Sequence, residues 1–262
     1  MPNPFALNRK QLILMLSLIA GGLSLISVPM TLLEYWLLEV SWSLSDLARC
    51  FTLDSENSIP SWYSSGLLFL CGLALACVAL YSRAGGDCWW KHWCGLAVLF
   101  GVLSIDEAVG FHEQLMTPVR SVIGDVAVLH FAWVLPGAAF VALVGFACLS
   151  FLKALPTRTS LQFVAAGGLY VGGALGLEVL GGWLFATSGE RDLRYICVAT
   201  LEESCEMFGL ILFLRAVLIH FEQTFGRLCL SVLPSPMQRL QVVTQHGSPD
   251  EKSRVLVGGR TE

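Results

Sequence analysis

Long apolar runs broken by short polar stretches dominate this chain, and six of them, at residues 11–33, 61–82, 93–115, 129–152, 161–186 and 197–221, are long enough to cross lipid as helices. A span of the hydrocarbon core takes about 20 apolar residues at the rise of an α-helix. The pattern therefore predicts an all-α fold, a polytopic membrane protein with a bundle of six transmembrane helices over residues 1–226. Residues 227–262, with Pro234, Pro236, Gly247 and Pro249 among polar neighbours and little periodicity, read as a disordered cytoplasmic tail.

Composition agrees with that reading: 55% of residues are hydrophobic, 14% are charged and the mean hydropathy is +0.67, well away from soluble averages. The spans leave no room for a soluble catalytic domain, so chemistry belongs inside the membrane or at its rim. The net charge of −4 averages loops on both sides with acids inside the bilayer, and the absence of a basic patch argues against a nucleic-acid partner. Nine cysteines make no C-x-x-C pair, which supports neither a disulfide framework nor a thiolate metal site.

Loop charge sets an orientation. Arg9, Lys10, Arg83, Lys91, Lys153, Arg158, Arg227 and Arg239 all fall on one side of a six-span chain, whereas the opposite loops carry Glu34, Glu39, Asp46, Asp54, Glu56, Asp125, Glu190 and Asp192 with only Arg49, Arg120, Arg191 and Arg194 as positive residues. By the positive-inside rule both termini are expected in the cytoplasm. Arg9 and Lys10 open a run too long for a usual signal-peptide core, so it is read as a retained first helix. Cys50 and Cys197 would share the outer side, a compartment that permits a disulfide. Residues 34–58, with Trp36 and Trp42 and followed by Trp62 and Tyr63, are expected to lie along the headgroups.

Against this apolar background the ionisable residues are conspicuous, because a charge at bilayer depth costs at least a few kcal/mol and needs a partner, a cavity or a metal. Asp106, Glu107, His112 and Glu113 occupy the third predicted span, Glu178 the fifth, and Glu202, Glu203 and Glu206 the sixth. From the helical rise, Asp106 and Glu178 lie roughly 20–25 Å from the inner end and Glu202 to Glu206 roughly 8–15 Å below the outer one, so all face the outer half. Asp106 and Glu113 fall within about 20° of each other on a continuous helix, and Glu202 and Glu206 form an i,i+4 pair. His130 is expected to snorkel to the interface.

Crowded carboxylates take up protons or a cation. Carboxylates with an imidazole suit iron, manganese or zinc, and bundles with glutamates on several helices build dimetal centres, although the Glu-x-x-His element of such centres is missing here. The expectation is thus a divalent metal held by Asp106, His112, Glu113, Glu178, Glu202, Glu203 and Glu206, serving redox or hydrolytic chemistry on a lipid-like or quinone-like molecule. Two alternatives stand beside it: a proton or cation pathway, for which the inner half offers little beyond Arg215, and a structural subunit whose acids bind another protein's helices. Satisfaction of each acid by a local partner is the reading with no function. Gly167, Gly168, Gly172, Gly173, Gly176, Gly181 and Gly182 are expected to let the fifth helix pack closely, bringing Glu178 to the others.

The stretch 57–65, the D-E-x4-H-E motif of Asp106 to Glu113 and the E-E-x2-E motif of Glu202 to Glu206 together resemble a family of bacterial multi-pass inner-membrane proteins. The resemblance spans roughly residues 60–218. It implies location and architecture and no reaction, and the three histidines of an alkaline-ceramidase type of zinc site are missing.

Overall fold

The computed structural model describes residues 8–38, 41–124, 126–188 and 192–226. Among them, six helical spans are long and apolar enough to cross a membrane, and by helix composition the chain is a multi-pass membrane protein. They are α1 (Arg9–Leu38), α3 (Ile59–Ala84), α4 (Trp90–Val109), α7 (Val134–Ala154), the joined pair α8 (Thr157–Val171) and α9 (Glu178–Ser188), and α10 (Leu193–Phe225). Short helices α2 (Trp42–Arg49), α5 (Phe111–Gln114) and α6 (Met116–Ile123) lie in the connections. The expected tail, with Arg227 and Arg239, lies outside the described residues, as do Glu39, Asp125, Glu190 and Arg191.

Local chemistry sets the ends of these helices. Ser58 caps α3 by accepting the Ser61 N–H at 3.2 Å, and Pro60 occupies the first turn, where its missing N–H costs nothing. Asp192 caps α10 in the same way, accepting the Tyr195 N–H at 2.9 Å. The third predicted helix does not run to residue 115. It stops at Val109, because Gly110 adopts a left-handed conformation (φ 67°) that glycine enters without a Cβ penalty, and the chain turns into α5.

The central element is α10, with half of its apolar window buried against 11% for α4 and α7, which leaves those two facing lipid. It packs on α1, α3 and α8, while α3 pairs along its length with α4. Lipid tails are as apolar as leucine, so close fit rather than water exclusion holds such contacts together. At Gly209 a Cβ would stand 2.9 Å from the Tyr170 backbone nitrogen, so only glycine lets α10 and α8 approach this far. Trp93, Phe151, Leu67, Leu68, Leu75, Met207 and Ile211 fill the core with under 2% of their surface exposed, apart from Ile211 at 2%.

Trp36, Trp42 and Trp62 are exposed, as interfacial side chains are, but Tyr63 packs inward and donates its hydroxyl to the Leu16 carbonyl at 2.7 Å. Cys50 and Cys197 are free, exposed thiols. The glycine expectation holds in part. Gly173 and Gly182 meet neighbouring elements tightly, whereas Gly167, Gly168, Gly172 and Gly176 face open space.

Candidate functional site

Asp106 sits in the last turn of α4, and the left-handed turn at Gly110 folds the following residues back over it. The Asp106 carboxylate accepts the backbone N–H of His112 at 3.0 Å and pairs with its Nδ1 at 3.0 Å, so the carboxylate, an acceptor only, fixes Nδ1 as the donor. Burial works against the imidazolium, but the hydrogen bond and charge of Asp106, reinforced by Glu56 and Glu107, carry His112 above its ordinary value. Its ring lies against Trp133, 4.7 Å between centroids, and the Trp133 indole donates Nε1–H to Glu178 Oε1 at 2.8 Å.

Glu178 reaches this position through a break in its own span. Residues Gly172–Leu177 form a π-helical segment between α8 and α9, a local widening that often marks functional sites. Its Gly173 lies so close to α10 that a Cβ would meet the Glu202 carbonyl oxygen at 2.9 Å and the Cys205 Cβ at 3.1 Å. The approach brings the Glu178 and Glu202 carboxyl groups beside each other. Two ionised carboxylates have only acceptors, so a hydrogen bond between such a pair needs a shared proton. One turn further along α10, Glu206 lies beside Tyr170.

These groups surround one cavity of about 350 Å³ at the end of the bundle that carries residues 53–56, 112–116 and 130–133 and the start of α10. Its lining includes all seven expected residues, Asp106, His112, Glu113, Glu178, Glu202, Glu203 and Glu206, together with Glu107. The side chains that depth arithmetic groups together thus share one cavity. Rotation on a continuous helix does not account for this, because Glu113 belongs to α5, beyond the break, and stands exposed at the rim. His130 does not snorkel away: it lines the cavity, with its ring against Phe131 and Phe185.

Asp54, Glu56, Trp133 and Tyr170 also line the chamber, and sequence reasoning did not assign them to it. Asp54 and Glu56 counted only as loop charges, yet the Ile59 N–H bonds to the Cys50 carbonyl at 2.9 Å and the Tyr195 hydroxyl donates to Asp54 at 2.9 Å, folding this loop inward. Burial, then the charge of Glu113, raises the Glu56 carboxyl above its ordinary value.

The chamber thus presents nine carboxyl groups, from Asp54, Glu56, Asp106, Glu107, Glu113, Glu178, Glu202, Glu203 and Glu206, with two imidazoles and, among the described residues, no lysine or arginine in its lining. Among the described residues, however, no group of three or more His, Cys, Asp or Glu side chains is disposed to hold a metal ion. The physical reason is visible in the pairs: Asp106 turns to His112, Glu178 to Trp133 and Glu202, and Glu206 to Tyr170. The expected metal set shares a chamber without converging on a point.

Fold and site together define a multi-pass membrane protein with an acidic chamber enclosed near one end of its helical bundle. The chain belongs to the family described as Domain of unknown function (DUF8692), whose model matches residues 12–221 and so takes in the whole chamber. No curated protein and no solved structure matches the chain.

Proposed function

We propose that this is a bacterial inner-membrane protein, termini in the cytoplasm, whose acidic chamber opens toward the outer leaflet and receives the cationic head of a small or lipid-like molecule. The loop charges support the orientation, and the family resemblance supports the membrane. The observation that carries the proposal is the lining itself, nine carboxyl groups against two imidazoles and, among the described residues, no lysine or arginine around a cavity of about 350 Å³. Charge of one sign inside low-dielectric walls concentrates ligands of the other sign. Trp133 and Tyr170 add aromatic faces of the kind that favour ammonium groups.

Within the chamber two pairs have distinct roles. Asp106 and His112 form a clamp that closes the mouth beneath α5. Glu178 and Glu202 share a proton that an arriving cation displaces, so binding is accompanied by proton release. A metal ion is the competing occupant, because the same acids line one space.

Calorimetry on the protein in nanodiscs tests the reading. Butylammonium is expected to bind with release of protons to buffer, butyrate is expected not to bind, and Glu178→Gln with Glu202→Gln is expected to weaken the amine at least tenfold. Equal binding of amine and carboxylate overturns the proposal. So does stoichiometric iron, manganese or zinc in the purified protein that is lost in both Asp106→Ala and Glu206→Ala, which restores the metal centre.

A further inference from the structure

A second cavity, of about 260 Å³ and almost wholly apolar, runs between α4, α7, α8 and α10. It adjoins the acidic chamber: Leu103, Phe140, Val141, Tyr170 and Val171 line both. Tyr170 stands between the two, on α8 beside Glu206. At the far end Phe151 and Phe163 line the groove, and Trp93 packs against them, at 4.8 Å and 6.0 Å between ring centroids. Between that end and the chamber α7 supplies residues from Phe140 to Phe151, a rise of about 16 Å, comparable to the depth of one leaflet's hydrocarbon.

The groove faces lipid. Val141 and Val164 on its walls are exposed, and among the described residues α7 packs on α8 and the π-helical segment without a comparable seam against α4. A space with an apolar shaft along the acyl chains and an anionic chamber at its head has the polarity of one amphiphile, inverted in charge.

We infer that the groove is the tail site of a long-chain amine, whose alkyl chain enters between α4 and α7 and whose ammonium head lies among the carboxyls beyond Tyr170. The inference rests on the cation-binding reading of the chamber and adds the chain to it. Charge complementarity selects the head: a carboxylate or phosphate would add a further acid to nine crowded carboxyl groups, and a neutral alcohol would bring no charge to offset them, whereas an ammonium supplies the cation such a crowd takes up. The adjacency of the two cavities, with five lining residues in common, selects a molecule with both parts.

Photolabelling in phosphatidylcholine nanodiscs tests it, using trace amounts of a C16 amine, a C16 alcohol and a C16 carboxylic acid, each with a diazirine at mid-chain. Mass spectrometry is expected to find the amine on α7 residues 144–152 and α8 residues 163–171 at least fivefold above the lipid-facing stretch 14–19 of α1, and fivefold above the alcohol and the acid. Gly167→Leu, at a position where a Cβ meets open space, is expected to block groove labelling while the protein stays folded. Glu202→Gln with Glu206→Gln is expected to erase the preference for the amine. Labelling of the groove no stronger than of α1 overturns the inference, and butylammonium binding in the same preparation then assigns the failure to the groove rather than to the chamber. Equal labelling by all three heads overturns it as well, and failure of butylammonium to bind shows that the chamber reading has fallen with it.

Discussion

Around Trp93 the helices α3, α4 and α10 run without a break and rings fill the space between them, whereas around Glu178 two spans lose their α-helical register and carboxyl groups face a cavity. The packed end includes Trp93 stacked on His220 at 5.0 Å, Phe100 on Phe213 at 4.8 Å and Tyr81 edge-on to Phe221 at 5.0 Å. The open end includes the left-handed Gly110 and the π-helical segment. In lipid a backbone break is tolerated only where protein or a cavity satisfies the freed groups, so breaks and polar chamber occur together for one reason. One end of the bundle maximises contact, and the other gives up contact to hold polar groups.

The contrast is sharpest in the cost of removing a side chain. Trp93→Ala deletes a ring that is 1% exposed and touches Phe151, Phe163 and His220, and is expected to cost about 3–5 kcal/mol in thermal or denaturant unfolding in nanodiscs. At the other end Glu202→Gln keeps shape and hydrogen bonding and relieves repulsion from Glu178 and Glu206, so a change within about 1 kcal/mol, of either sign, is expected. If Glu202→Gln proved as damaging as Trp93→Ala, the acids would be structural and the functional division of the bundle would be lost.

Next in size is the seam that joins the two carboxyls. Gly173→Ala puts a methyl group 2.9 Å from the Glu202 carbonyl oxygen, and backbone must yield. An overpacked contact of this kind costs about 1–3 kcal/mol, and amine binding should fall with it because Glu178 and Glu202 separate. Gly176→Ala, three residues on in the same π-helical segment, meets nothing within 4 Å and is the matched control, expected to change stability by less than about 0.5 kcal/mol.

Much of this was legible in the sequence, and the residues show why. Apolar run length located all six spans, because the bilayer imposes that length on any helix. Alternating helix direction then put Asp106, Glu178 and Glu202 at matched depth, which is a matter of rise alone. Facing is a matter of rotation and failed where the helix did: the phase that joined Asp106 to Glu113 assumed a continuous turn through Gly110. Glycine at a C-cap and glycine inside a membrane span look alike in one sequence. Trp133 and Tyr170 were hidden for another reason, since an aromatic residue in an apolar run carries no mark of whether its polar atom finds a partner. The six acids and His112 implied convergence on a metal, but pairwise contacts divide them, Asp106 with His112, Glu178 with Trp133 and Glu206 with Tyr170, and which groups meet depends on turns and approaches that only the fold determines.

The turn itself is a smaller test. Gly110→Ala forces an L residue to φ 67°, at about 1–2 kcal/mol, and its Cβ would come 3.6 Å from the Glu56 carboxyl carbon. Unfolding should show that loss. Histidine NMR of His112 should show its ring released from Asp106, whereas His220, at the packed end, should keep its signal unchanged.

The smallest effects separate two carboxyls at the open end that lie outside the spans. Glu56 is raised above 4.5 by burial and by Glu113, so its charge opposes folding above its folded value, and that penalty disappears as pH falls toward 4.5. Asp192 is lowered below 3.8 by the Tyr195 N–H and by Arg194, so its contribution is present above 3.8 and lost as pH falls through the folded value. Solvent screens both, and shifts in Tm on the order of 1 °C are expected. Glu56→Gln should raise Tm at pH 7 and converge with the parent near pH 4, whereas Asp192→Ala should lower Tm at pH 7 and converge only in stronger acid. Opposite signs follow from position: Glu56 stands among other acids, and Asp192 stands at the N-terminus of α10, where a negative charge meets free N–H groups. Two differences of the same sign would mean that Glu56 is not part of the acidic crowd.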